Sequence, residues 1–350
     1  MGSPVLDIRF SELMNSVIER SKRGEVLLIM PDDMMETEYM VFHTMPDNKK
    51  VSEENLPYIK MAFLGGAAKV TLIRSNENME TALALARSMS WNWLAAPLAD
   101  EEEKEQIAGF IREERETGKG FKAILGAFEN ADSEGIVNLA NEYIVSDILG
   151  EEDEYSPERY SAYMAGILAG LSLERSATGL AFPDISMTEL RMDADGDIEQ
   201  GRLIFIPNGS GFEIARAVTS LVSDGDAPRS FRKIKNVEGA DLIRSDIARI
   251  FTLYYKGKKT NSYANRQALC ADIIAYFRSL EGDVLTPEHN NTVSLDAEAQ
   301  RNYLESIGEN TEDKTDREIL LMNTGEKVFL RADIRLLDAM EDLYLTITLA

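Results

Sequence analysis

GEVLLIMPDD, Gly24 to Asp33, is the stretch on which the fold class turns. Val26 to Met30 is an unbroken apolar run between a glycine-led turn and a proline. It has the length of a strand and no polar face, the pattern of a strand covered on both sides. The chain after it repeats the theme. Ser52 to Leu64 has helical spacing, with Glu54 early and Gly65-Gly66 as its stop. Lys69 to Arg74 reads as a strand, Asn78 to Ser88 as a helix, and Trp91 to Ala96 as a strand ended by Pro97. Asp100 to Glu116 reads as a helix whose first-turn acids suit the dipole, and Phe121 to Ala127 as a fourth strand. Strand and helix in alternation imply a mostly parallel sheet with helices on its faces. A strand at Tyr143 to Ser146 and a helix from Pro157 to Leu171 follow.

Leu173 to Ile185, with Gly179 and Pro183, is less regular and reads as a crossover between domains. Arg202 to Ile206 and Phe212 to Ala217 flank Pro207-Asn208-Gly209-Ser210-Gly211, the chemistry of a hairpin turn. Ser230 to Val237 reads as a strand leading into a helix, Ala240 to Tyr255. Ser262 to Leu280 is a second helix, with Ala268, Leu269, Ile273, Ile274 and Phe277 at core spacing, and Leu295 to Ser306 a third, with Asp296 as cap. Glu309 to Asp316 is a polar loop. The expected class is α/β: a parallel-type α/β domain over 23–178 and an α+β domain over 179–337, with arms at 1–22 and 338–350.

Both ends carry strand patterns. The last stretch is KVFLRADIRLLDAMEDLYLTITL, Lys327 to Leu349. In it Leu343, Leu345, Ile347 and Leu349 alternate with Tyr344, Thr346 and Thr348. A short acidic turn, Asp338, Ala339, Met340, Glu341 and Asp342, separates this run from Lys327 to Leu336. Near the other end Leu6, Ile8 and Phe10 alternate with Asp7 and Arg9, and Ser11 caps a helical stripe of Leu13, Met14, Val17 and Ile18. Two exposed edge strands on one monomer are an aggregation hazard. Either they pair inside the subunit, as a closing hairpin, or they add to a neighbour's sheet.

The chain has 350 residues, room for two ordinary domains, and 44% hydrophobic and 28% charged residues, the balance of a globular protein. Its net charge of −24 repels polyphosphate, so nucleic acid is excluded as a general partner. The opening MGSPVLDIRF lacks a basic segment before an apolar core, so no secretory signal is expected, and no apolar run is long enough to span a bilayer. The single cysteine, Cys270, excludes an internal disulfide and sits on the apolar side of a helix.

Motifs for cofactor chemistry are not met. A dinucleotide fold needs glycines after its first strand, and Pro31-Asp32-Asp33 stands there instead. Gly257-Lys258-Lys259-Thr260 has the end of a phosphate loop without its first glycine, since the place five residues earlier holds Thr252. Asp193-Ala194-Asp195-Gly196-Asp197 has its glycine too early for a calcium loop, and Ile204 at the closing position. His43 and His289 lack metal-ligand spacing. No cofactor, metal or catalytic set is expected. Two basic clusters stand against the acidic background: Arg229, Arg232, Lys233 and Lys235, and Lys256, Lys258 and Lys259. Each is either a solvated helix end or a docking patch for an acidic protein.

Five segments carry a resemblance: PVLDIRFSELMNSVIERSKRG, AYMAGILAGLSLERSATGLAFPDI, GFEIARAVTSL, DLIRSDIARIFTLYYKGKKTNSYANRQAL and KVFLRADIRLLDAMEDLYLTITL. In this order they are similar to the contractile tail sheath proteins of bacteriophages and of R-type (diffocin-like) phage-tail bacteriocins. Leu180-Ala181-Phe182-Pro183 departs in detail from the family pattern before that proline. The resemblance implies a structural subunit, not an enzyme. It would polymerise helically in stacked rings around an inner tube and contract to drive that tube through a target envelope. It also implies terminal arms exchanged between subunits. Leu6, Ile8, Phe10, Leu343, Leu345, Ile347 and Leu349 would be the intersubunit strands, and Asp338 to Asp342 the arm hinge. Lys256, Lys258, Lys259, Arg232, Lys233 and Lys235 are the candidate tube contacts. Further expected partners are the baseplate and tail terminator, with no nucleic acid and no membrane insertion. Assembly is expected in the cytoplasm of the producing bacterium, before the protein joins a virion tail or a released bacteriocin particle. A Rossmann-like cytosolic enzyme is the rival reading.

Overall fold

A computed structural model describes residues 24–46, 50–225 and 227–348. The expected strand with Leu6, Ile8 and Phe10, the helix after it, and Leu349 lie outside the described residues. The decisive stretch is strand β1 (Glu25–Met30). Then come β2 (Tyr39–Phe42), α1 (Leu56–Gly65), β3 (Lys69–Arg74), α2 (Met79–Ala86), β4 (Trp93–Ala95), α3 (Glu101–Glu116), β5 (Lys122–Gly126) and β6 (Ile136–Leu139). Short strands β7 (Ile144–Ser146) and β8 (Asp153–Tyr155) precede α4 (Pro157–Gly170). After α4 come β9 (Ala181–Phe182), β10 (Ile185–Thr188), α5 (Ala194–Glu199), β11 (Arg202–Leu203), β12 (Phe205–Pro207) and β13 (Phe212–Ile214).

These form a seven-stranded sheet in the order β11-β6-β5-β4-β1-β3-β2, parallel except for β2. In β1, Val26, Leu28 and Met30 join the core on one face and Leu27 and Ile29 the core on the other. A strand with alternate side chains on opposite faces can be apolar throughout only if both faces are covered. Helices α2 and α3 cover one face and α1 and α4 the other. The helix starts follow capping rules. Asn78 accepts from the Thr81 amide at 2.8 Å, and Asp100 and Glu103 form a reciprocal capping box.

Glycines let α1 and α4 meet backbone to backbone. A Cβ on Gly166 would lie 2.1 Å from the Ala62 carbonyl oxygen, and one on Gly65 would lie 2.5 Å from the Tyr163 oxygen. Gly166→Ala would gain up to about 1 kcal/mol of helix propensity. We expect it nonetheless to destabilise by about 1–3 kcal/mol, because the helices must part. A melting temperature at or above that of the parent would overturn this contact.

The expected boundary at 178/179 is not where compactness divides the chain. Residues 24–241 and 338–348 form one unit and 242–337 another, so the division falls within α6 (Ile234–Ile250). β11 extends the large sheet through Leu203 opposite Leu139, and Phe182, Phe205 and Ile214 join the core beside α4. The expected strand Ser230 to Val237 is instead a 3-10 turn, Arg229–Arg232, followed by the start of α6. Its apolar residues Phe231, Ile234 and Val237 recur every third position, a helical period.

Unit 242–337 continues α6 into a π-helical turn, Phe251–Tyr255, followed by α7 (Tyr263–Ser279), β14 (Thr292–Leu295), α8 (Ala297–Ser306), α9 (Asp316–Leu321) and β15 (Leu330–Asp333). β14 and β15 pair antiparallel, Leu295 opposite Leu330, so Leu295 ends a strand and does not open a helix. Asp296 caps α8, accepting from the Ala299 amide at 2.9 Å. Cys270 is buried in α7, where burial raises its thiol pKa. No described helix is long and apolar enough to cross a membrane.

Candidate functional site

A doubly wound sheet offers a ligand the crevice at the carboxyl ends of its strands. At the ends of β1 and β5 the chain's own polar groups stand there. The Asp32 carboxylate accepts from the Met34 and Met35 amides at 2.9 and 3.0 Å. It also accepts from the Ser52 amide and hydroxyl at 2.9 and 3.0 Å and from Asn55 Nδ2 at 2.8 Å. Burial alone would raise its pKa; the bonds from Asn55, Ser52 and Met34 outweigh that and hold it low. A protein carboxylate thus takes the donors a phosphate would need. At the end of β5, the buried Lys104 ammonium donates to the Gly126 carbonyl at 3.1 Å and to Glu158 at 3.2 Å, closing the gap under the first turn of α4.

The more informative site is the terminal segment. Glu341 is bound on every side. Its Oε1 accepts from Ser176 Oγ at 2.8 Å and Thr178 Oγ1 at 2.9 Å, and its Oε2 from Arg216 Nη1 at 3.1 Å. Lys233 Nζ lies 3.6 Å from the same oxygen, and the side chain is 7% exposed. Asp342 accepts from Arg216 Nη2 at 2.8 Å, which holds that guanidinium pKa above its ordinary value. Asp338 accepts from Asn236 Nδ2 at 2.8 Å and pairs with Lys233 at 3.4 Å. Three carboxylates of the acidic turn are therefore fastened to unit 24–241, while Met340 between them is fully exposed.

Beyond this clasp the chain is bare. Leu343, Tyr344, Leu345 and Ile347 are between 72% and 94% exposed, and residues 343–348 belong to no strand. The alternation is present in the sequence, but no described residue pairs with it. Lys327 to Leu336, by contrast, holds β15 within its own unit. Of the basic candidates, Lys233 is engaged by the clasp, and Arg232 pairs with Asp224 at 3.3 Å. Lys258 Nζ donates to the Leu253 carbonyl at 2.6 Å. Lys256 and Lys259 are exposed after the π turn, and Lys235 is half-buried on α6.

The clasp partners were in view in the sequence without their role. Ser176 and Thr178 sit in ERSATGL, and Arg216 in IARAV, two of the segments that carried the resemblance. Asp193, noted for its spacing, caps α5 through the Gly196 amide at 3.0 Å, and Asp197 pairs with Arg202 at 2.9 Å.

The chain is 30% identical, over 97% of its own length and 97% of the relative's, to a tail sheath protein of Clostridium phage phiCD119. This chain belongs to the tail sheath family. Residues 226–350 of the sheath protein match the family described as phage tail sheath C-terminal domain. Its fold is similar to the crystal structure of the sheath tail protein from Listeria innocua, at 15% identity and a TM-score of 0.70, covering 82% of this chain and 92% of that one. It is similar also to the helical sheath of the anti-feeding prophage in its contracted state, at 15% identity and a TM-score of 0.67, covering 93% of each. The sheath protein is a structural component of a phage tail or phage-tail-like particle.

Proposed function

We propose that the sheath protein polymerises helically, in stacked rings, around an inner tube and contracts to drive the tube through a target cell envelope. The observation that carries this reading is the terminal segment: an alternating apolar stretch, exposed, paired with no described residue and fastened at its root. Such a segment is suited to adding to a sheet edge of a neighbouring copy through Leu343, Leu345, Ile347 and Leu349. The segment with Leu6, Ile8 and Phe10 is proposed as a second exchanged strand. A heterologous contact repeated with a screw gives an open polymer, not a closed oligomer. The expected hinge, Asp338 to Asp342, is re-read as an anchor, with the free joint at its outer end, after Asp342.

In this reading the stroke needs no catalytic residue, and energy is stored in a metastable assembly held by a barrier. The inner tube protein, baseplate and tail terminator are proposed partners. Lys256, Lys258, Lys259, Arg232 and Lys235 are kept as tube contacts, and Lys233 is assigned to the anchor. Assembly is proposed in the cytoplasm of the producing bacterium, before incorporation into a virion tail or bacteriocin particle. The rival, a Rossmann-like enzyme, would need the crevice that Asp32, Lys104 and Glu158 occupy.

Negative-stain electron microscopy of the concentrated, purified chain tests the function. Helical tubes are the expected result. A discrete monomer, or closed rings that never stack, would remove the polymer from the account.

A further inference from the structure

Unit 242–337 contains a groove of about 500 Å³, bounded by residues 251–269 and 325–328. Its walls mix two chemistries. Phe251, Leu269 and Val328 are apolar, while the exposed Lys256 and Lys259 are basic. Arg266 also lines it and is 4% exposed. The guanidinium donates from Nη1 to Gln300 Oε1 and from Nη2 to the Leu320 carbonyl, both at 2.9 Å. Both acceptors are neutral. Among the described residues Arg266 has no carboxylate at ion-pair distance, and its Nε has no hydrogen-bond partner.

That is an expensive arrangement for a free-standing chain. A buried cation without a counter-charge costs several kcal/mol. Burial even pushes the Arg266 pKa below its ordinary value. A second orphan lines the same groove. Asn261 Oδ1 is buried without a partner among the described residues, while its Nδ2 donates to Thr324 Oγ1, the Gly325 carbonyl and the Lys327 carbonyl at 3.0, 2.9 and 2.9 Å. Those three acceptors fix the amide, so its oxygen cannot trade places with its nitrogen. Glu326 shares the lining but is exposed, and among the described residues it pairs with none of the three cations.

Among the described residues the groove therefore supplies no paired negative charge for Arg266, Lys256 and Lys259, and no N–H donor for Asn261 Oδ1. A bare anion supplies only the first. A carboxylate side chain on a peptide supplies both, and a neighbouring apolar side chain would meet Phe251 and Leu269. We propose that this groove receives an acidic peptide segment of a second copy of the chain. Charge complementarity names the occupant: the chain holds 61 acidic against 37 basic residues, so any adjoining copy presents carboxylates. The proposal rests on the self-assembly reading. It moves Lys256 and Lys259 from tube contact to sheath–sheath contact and leaves Lys258, Arg232 and Lys235 for the tube.

The test mixes unlabelled and heavy-isotope-labelled full-length protein as subunits, lets them assemble without tube, and adds a water-soluble carbodiimide. That reagent joins an ammonium only to a carboxylate in contact with it. Mixed-isotope peptides linking Lys256 or Lys259 to an Asp or Glu are expected. Their yield should fall about tenfold in Asn261→Asp, which places a repelling charge in the groove, and similarly in Arg266→Gln. Both variants keep the two lysines, and circular dichroism reports whether each is folded. Filaments with cross-links only within one copy would overturn the proposal alone. So would links from these lysines that form only to a co-assembled inner tube, or an undiminished yield in folded Asn261→Asp. Absence of both filaments and mixed-isotope links would overturn the polymer reading together with it.

Discussion

A chain shortened after Asp342 is expected to stay folded and soluble and to form no tubes. The folded state should survive because residues 343–348 contribute no core contact: Leu343, Leu345 and Ile347 stand in water. Burying those three side chains on a neighbour would contribute about 5–9 kcal/mol per arm, before the cost of ordering the segment. Even a net loss of about 3 kcal/mol raises the dissociation constant of a subunit more than a hundredfold. Every subunit of the polymer would lose an arm at once. The measurement is electron microscopy of the truncated protein beside the parent at equal concentration, with a thermal melt of each. Normal tubes from the truncated chain would sink the arm reading. A collapsed melt would show that the segment belongs to the fold.

The second large effect is expected at Asp241. Lys122, Arg115 and Asp241 are all buried, and Asp241 Oδ2 lies 3.0 Å from Lys122 Nζ and 2.9 Å from Arg115 Nη1. Glu134 and Glu238 complete the network, 2.9 Å from Arg115 Nε and 3.1 Å from Lys122 Nζ. Burial alone would raise the Asp241 pKa; facing Lys122 and Arg115 outweigh that and hold it below its ordinary value. Removing one partner of a buried pair leaves an uncompensated charge and costs about 3–5 kcal/mol. Asp241→Ala should fall at the low end, near 3 kcal/mol, because Glu134 and Glu238 remain. That is a melting shift of about 6–12 °C for a unit of this size. The sign with pH follows from the depressed value. The stabilisation is full above the unfolded carboxyl pKa of about 3.9 and is lost as pH falls through the lower folded one. The difference between parent and variant should therefore shrink in acid below about pH 4. A shift under about 2 °C at neutral pH would mean that the network is not holding α3, β5 and α6 together.

What could be read in advance was local. Buried strands such as β1 and β3 are written as apolar runs, and α2 and α3 announce their starts at Asn78 and Asp100. β6 was hidden because it follows β5 in parallel without a helix between them. The chain turns instead through Ala127, Asn130 and Asp132, all at positive φ, a conformation no apolar pattern encodes. β2 was missed for its brevity and its half-exposed edge position. The clasp was illegible for another reason. Ser176, Thr178, Arg216 and Asn236 are each over a hundred positions from the acids they hold, and a chain with 61 acidic residues gives no way to choose among carboxylates. The alternation of Leu343 to Leu349 was legible, but a strand pattern does not name its partner.

The anchoring of Glu341 has a mechanical side. A pull on residues 343–348 reaches Asp342 and Glu341 first, where Arg216, Ser176 and Thr178 grip the chain in parallel. Bonds loaded side by side share tension, and each can reform while the others hold. The load passes through Arg216 into the segment after β13, through Asn236 into the first turn of α6 and through Lys233 into the residue before it, all within the unit built on the large sheet. Residues 242–337 lie outside that path. If the segment is an intersubunit arm, tension along it would thus be borne by the part of the molecule with the large apolar cores, and the acidic turn would work as a strain relief, like the collar where a cable enters its housing.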